Sequence, residues 1–114
     1  MNAEAIITFA RVESDWRLVG RIEDIPRQGA RCVKTGEMTV AVFRTSDDRV
    51  FAMEDRCPHK AGPLSQGIVH AGCVTCPLHN WVISLENGRA QGADEGATRT
   101  FPVKVEDGSV YLKL

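Results

Sequence analysis

No stretch of this 114-residue chain is long and apolar enough to span a bilayer. The apolar run near the N-terminus, residues 5–10, lies between Glu4 and Arg11 and is too short and wrongly flanked for a secretory signal. There is no basic block or tail either. The chain has 14 basic and 15 acidic residues, a net charge of -1, which argues against nucleic acid or a membrane surface as partner. It lacks internal repeats and low-complexity tracts, and no segment carries an apolar stripe of period 3.6, so a helical fold has no support. These absences make a cytoplasmic protein the expectation, in a compartment where thiols stay reduced. Four cysteines in that setting point to metal ligands or core thiols rather than disulfides.

What is present has a period of two. The composition, 43% hydrophobic and 25% charged, fits one globular domain over residues 1–114, with about 1–14 expected as a frayed end. "EMTVAVFRT" and "RVFAME" read as strands joined by the turn-like "SDD". "WVISL" leads into "ENGRA", where Asn87-Gly88 suits a tight hairpin. "RTFPVKVE" alternates Phe101, Val103 and Val105, turns at Asp107-Gly108, and continues into Val110, Leu112 and Leu114. Pro102 cannot donate to a ladder, which places it at an edge or a strand start. The expected fold class is all-β, an antiparallel β-sandwich or partly open barrel. The irregular stretch is residues 55–72, interrupted only by Ile68 and Val69, and long loops of this kind are usually functional.

That stretch contains Cys57-x-His59. Sixteen residues further on comes Cys76-x-x-His79. Pro58 biases Cys57 towards extended backbone, in which residues i and i+2 face one side. Pro77 occupies the favoured second position of a β-turn whose ends are Cys76 and His79. Each loop therefore offers one soft thiolate and one imidazole to a common point. Such a set can hold one zinc, although structural zinc sites more often use closely spaced cysteine pairs. It can equally hold a [2Fe–2S] cluster, with two sulfurs on one iron and two imidazoles on the other.

The stretches "CPHKAGPLSQG" and "CPLHNW" resemble the two binding loops of a Rieske iron–sulfur domain. The resemblance implies a small all-β fold with a cluster-binding subdomain, here about residues 55–82, and a Rieske-type [2Fe–2S] cluster. Cys57 and Cys76 would bind the inner iron, and His59 and His79 the outer one. Two ferric ions, two sulfides and two thiolates sum to about zero, which favours electron uptake relative to an all-cysteine cluster. High-potential respiratory members carry a disulfide across the loops and a serine hydroxyl on the cluster. Gly62, Leu78 and Asn80-Trp81 stand at those positions here. The expectation is the low end of the family range, which runs from roughly -150 to +300 mV.

The wider wording, "CPHKAGPLSQGIV", "VTCPLHNWVISLENGRA", the later "DEG" and "FPVKVEDGSVYLKL", is similar to the small subunit of assimilatory NAD(P)H nitrite reductase. That resemblance implies a non-catalytic electron-transfer or supporting subunit, whose large-subunit partner carries flavin, a [4Fe–4S] cluster and sirohaem and reduces nitrite to ammonium. Two alternatives stand beside it: a free Rieske ferredoxin serving a ring-hydroxylating dioxygenase, and a zinc-stabilised binding domain. The loop tips, around Pro58, Ala61, Gly62, Pro63, Leu64, Pro77 and Leu78, read as an apolar docking face flanked by Arg56 and Lys60. Of the remaining residues, Cys73 and Cys32 read as core-facing strand thiols, His70 as a surface side chain, Trp16 as core, Trp81 as core that also braces the second loop, and Asp94 and Glu95 as a solvated loop.

Overall fold

The computed structural model describes residues 16–36, 38–59, 61–78, 80–92 and 94–113. The end expected to fray, about 1–14, lies outside them, as do Lys60, His79 and Leu114. Among the described residues ten strands run in chain order: β1 Trp16–Arg21, β2 Gly29–Thr35, β3 Met38–Arg44, β4 Val50–Glu54, β5 Ile68–His70, β6 Cys73–Thr75, β7 Val82–Ser84, β8 Thr100–Phe101, β9 Val103–Glu106 and β10 Ser109–Lys113. Single 3₁₀ turns occupy Ile22–Asp24 and Leu64–Gln66, and there is no α-helix among the described residues. No helix of the described residues is long and apolar enough to cross a membrane.

The strands form three open antiparallel sheets, ordered β1-β10-β9, β2-β3-β4-β8 and β5-β6-β7. The β2-β3-β4-β8 sheet is central because both its faces are covered. Val40, Ala41, Val42 and Phe43 are four consecutive residues with no exposure at all. Side chains alternate across a strand. Val40 and Val42, with Ala52, pack on Val110 and Leu112 of β10. Ala41 and Phe43, with Met53, pack on Leu64, Val69, Val74 and Ile83. The unbroken apolar run "VAVF" is the sequence mark of this two-sided burial. The second core joins the central sheet to the small β5-β6-β7 sheet, and the two proposed cysteine ligands sit in it.

Turn chemistry sets the registers. Asp107 and Gly108, at φ 52° and 80°, close the β9–β10 hairpin with Glu106 opposite Ser109, as the two-residue reading expects. Ala71 and Gly72 make the same kind of turn, at φ 48° and 75°, between the paired His70 and Cys73. The stretch at 55–72 is therefore less irregular than its sequence suggests, for it holds a 3₁₀ turn and all of β5. At Asn87-Gly88 only the glycine has a positive φ. The Ser84 N–H bonds Arg89 O at 2.9 Å, so the loop has four residues and is not a two-residue turn. Pro102 separates β8 from β9, where the chain passes from the central sheet to the outer one.

Three side chains depart from expectation. Trp16 is half-buried at the start of β1, beneath Lys104 Nζ at 4.8 Å and Lys113 Nζ at 5.7 Å from its ring centre, and is not core. Cys32 lies in β2 but is exposed, its Sγ 3.6 Å from Asp55 Oδ2. Cys73 lies in β6 but is only half-buried, because its neighbour Val74 takes the core face. In a strand, one residue of register decides which side chain is inside.

Candidate metal centre

The first loop leaves β4 and closes on itself. The Cys57 N–H bonds Gly62 O at 2.9 Å, and the Ala61 N–H bonds Cys57 O at 2.9 Å, with Ala61 in the left-handed region at φ 57°. Pro58 and His59 thus form a turn and do not continue as extended backbone. The extended geometry expected to aim Cys57 and His59 to one side is therefore not what this loop adopts: the chain bends between them. Beyond the bend, Leu64 is fully buried and anchors the 3₁₀ turn, so it does not belong to the exposed tip. The carboxylate of Asp55 accepts the Ser65 N–H at 2.7 Å and the Ser65 hydroxyl at 2.8 Å, tying the two ends of the loop together.

The second loop joins β6 to β7. The Cys76 N–H bonds Trp81 O at 2.7 Å, Pro77 and Leu78 turn, and Asn80 is left-handed at φ 59°. His79 lies outside the described residues. The two loops meet at Gly62. A Cβ there would lie 2.9 Å from Leu78 Cδ1 and 3.0 Å from Cys76 Sγ. Gly62 and Leu78, the positions at which the respiratory branch carries its disulfide, therefore face one another.

Cys57 and Cys76 are both buried, at 2% and 0% exposure, with free thiols. Burial is the main cause that pushes the Cys76 thiol up; the backbone N–H of Leu78 pulls it down, and the adjoining Cys57 thiol adds to the rise. Two neighbouring buried thiols are costly to ionise without a cation to balance them, which suits a metal centre. The Nδ1 of His59 is also shielded from solvent. Its ring lies flat on Trp81, with centroids 4.5 Å apart and planes 8° from parallel. Trp81 thus braces the histidine of the first loop, although its own position is in the second. Among the described residues no three His, Cys, Asp or Glu side chains converge on one ion. The donor set, two buried thiols and a shielded imidazole nitrogen, fits a Rieske-type [2Fe–2S] cluster.

A third segment completes the surroundings. Gly96 of "DEG" packs so closely that a Cβ would sit 3.0 Å from Pro58 Cβ and 3.8 Å from Trp81 Cζ3. Its carbonyl accepts the Ala90 N–H at 2.9 Å. Beside His59 opens a cleft of about 470 Å³ edged by Glu54, Arg56, Thr98 and Arg99. Asp94 is half-buried and Glu95 exposed, and His70 is exposed with its Nε2 2.6 Å from Thr75 Oγ1. Arg99 and Gly96 were not legible as site residues, since neither lies near a ligand motif in the chain.

Comparison with known proteins agrees with this geometry. Residues 15–113 match the model of the Rieske-like [2Fe-2S] domain. The anthranilate 1,2-dioxygenase ferredoxin subunit of Burkholderia cepacia is 35% identical over 102 residues, covering 89% of this chain and 94% of that one. The NAD(P)H nitrite reductase large subunit of Klebsiella oxytoca is likewise 35% identical over 102 residues, covering 85% of this chain but 11% of that much longer protein. A solved Mycobacterium tuberculosis structure, assigned as an NADH-dependent nitrite reductase small subunit, shares the fold with a TM-score of 0.78 at 20% identity, over 87% of this chain and 94% of that one. With its two loops, its buried thiols and this match across nearly its whole length, the chain is a member of the Rieske-like [2Fe-2S] domain family.

Proposed function

We propose that this chain is the Rieske electron-transfer small subunit of an NAD(P)H nitrite reductase, acting in the cytoplasm during nitrate assimilation. Cys57 and Cys76 would hold one iron of the cluster and His59 and His79 the other, within a cluster-binding subdomain at about residues 55–82 of a single domain. The bound cluster supplies one-electron transfer. The chain's own residues do the rest. Two buried thiolates and the Leu78 N–H hold the inner side, the His59–Trp81 stack orients the outer side, and exposed Ala61, Pro63, Pro77 and Leu78 present a surface of low charge to a redox partner. Arg56 and Arg99, on the rim of the cleft beside His59, steer that partner's acidic groups. Lys60, expected to share this role, lies outside the described residues.

One observation carries the nitrite reductase reading. The separate stretches that resemble that small subunit, namely both loops, Trp81 and the "DEG" segment, pack against one another around a single site. A nitrite reductase large subunit that is 35% identical over 102 residues supports a link to that enzyme. A second reading, a ferredoxin delivering electrons to a ring-hydroxylating dioxygenase, is favoured by the 94% coverage of the anthranilate dioxygenase ferredoxin subunit. Co-expression with a sirohaem-containing large subunit separates them. A stable complex with NADH-dependent nitrite loss is expected; a chain that remains free and accelerates an oxygenase supports the ferredoxin. The ligand assignment predicts about two irons and two labile sulfides per chain and a red-brown colour. Full iron retention by His79→Ala, or a colourless protein holding one zinc, would overturn it.

A further inference from the structure

The ligands proposed above account for iron binding but not for the orientation of the outer imidazole. An imidazole on a surface turn is free to rotate about its side-chain bonds unless something fixes its plane. His59 sits on a tight turn and is partly exposed, yet its Nδ1 is buried. The group against its face is Trp81, in parallel contact at 4.5 Å and 8°. Trp81 is held in turn. Its carbonyl takes the Cys76 N–H at 2.7 Å, which locks its backbone to an inner ligand. Gly96 packs against the rim of its indole and against Pro58, the residue before His59. An added methyl at Gly96 would lie 3.0 Å from Pro58 Cβ and 3.8 Å from Trp81 Cζ3, so this third segment lies beside both loops and leaves no room for a side chain there.

We propose that Trp81 is a positioning residue for the outer iron ligand. The indole plane sets the plane of the His59 ring, and Gly96 backs the indole and Pro58 so that neither can shift. The segment at 94–97, distant from both ligand motifs in sequence, is then a third element of the site. Trp81 does not itself coordinate or carry charge. It acts through His59, by fixing the angle at which the ring nitrogen meets its metal. This inference rests on His59 being a ligand and holds for either choice of redox partner.

The test compares the reconstituted full-length chain with Trp81→Phe and Trp81→Leu, reading histidine nitrogen hyperfine couplings of the reduced cluster by pulsed EPR. Two coupled histidine nitrogens in the wild type establish the ligand reading; their absence overturns that reading and this inference with it. With them present, Trp81→Phe, which keeps a flat ring, is expected to retain the wild-type couplings. Trp81→Leu is expected to shift them, or to lose iron where Phe does not. Cluster loss in Trp81→Leu should also run about two- to tenfold faster, the ratio that the free energy of one aromatic pair sets. Unchanged couplings in Trp81→Leu overturn the positioning role while leaving the ligands intact. Equal disturbance in Phe and Leu overturns it as well, because the indole then serves only to fill volume.

Discussion

The carboxylate of Asp55 offers the sharpest test of how the first loop is held. It accepts two hydrogen bonds from Ser65, ten residues away, at 2.7 and 2.8 Å, and so ties the entry of the loop to its 3₁₀ turn. Replacement by Ala removes both and leaves the Ser65 N–H in a half-buried place without its acceptor. A hydrogen bond to a charged group contributes about 1.5–3 kcal/mol, and partial exposure keeps each at the lower end, so the pair is worth roughly 3 kcal/mol. For a domain of this size that lowers Tm by roughly 10 °C. Asp55→Asn keeps one acceptor oxygen and should lose about half as much. The assay is thermal unfolding of the cluster-loaded chain at neutral pH, followed by far-ultraviolet circular dichroism and by cluster absorbance. The cluster signal should fall with, or ahead of, the fold. A Tm drop under about 2 °C in Asp55→Ala would show that the loop is held by Leu64 burial and the backbone bonds alone, and the reasoning would fail.

Further outcomes follow from the same geometry. Gly62→Ala puts a Cβ 3.0 Å from Cys76 Sγ and 2.9 Å from Leu78 Cδ1, so iron per chain should drop by roughly half or more while the apoprotein stays folded; undiminished iron content would contradict the contact. Met53→Ala empties a fully buried site between the central and cluster-side sheets and should cost about 2–5 kcal/mol by urea unfolding. Asp48 is held below the ordinary carboxylate range by hydrogen bonds from Arg27 and Arg44. A depressed folded pKa stabilises above the unfolded value and is lost as pH falls through the folded one. Asp48→Asn should therefore lower the urea midpoint at pH 7, by an amount that shrinks as pH falls below the ordinary carboxylate range, and a loss that does not change with pH would refute the ion-pair account.

Much of this protein was legible from local pattern. "VAVF" marked a strand, Asp107-Gly108 a hairpin, and the spacing of Cys57, His59 and Cys76 a pair of loops, because periodicity, positive-φ turn residues and ligand spacing are properties of a few adjacent residues. The cofactor class was legible for the same reason, since the loop wording around Cys57 and Cys76 resembles the Rieske family to which the chain belongs. Burial was less so. Cys32 and Cys73 read as core thiols from their apolar character, but the register of β2 and β6 turns them away from it.

Only the tertiary structure decided which distant segments meet. It brought Gly62 against Leu78 and Cys76, laid Trp81 on His59, set Gly96 against Pro58 and Trp81, and placed Arg99 beside the site. Apart from the meeting of Gly62 and Leu78, which the family resemblance implies, these contacts leave no signal in sequence spacing, because each depends on how the second core holds the small sheet and its loops against the central one. The sequence by itself determined which thiols and imidazoles are candidate ligands and the period-two strands that flank them. The packing of three sheets determined where the His59 ring lies and that Trp81 lies against its face.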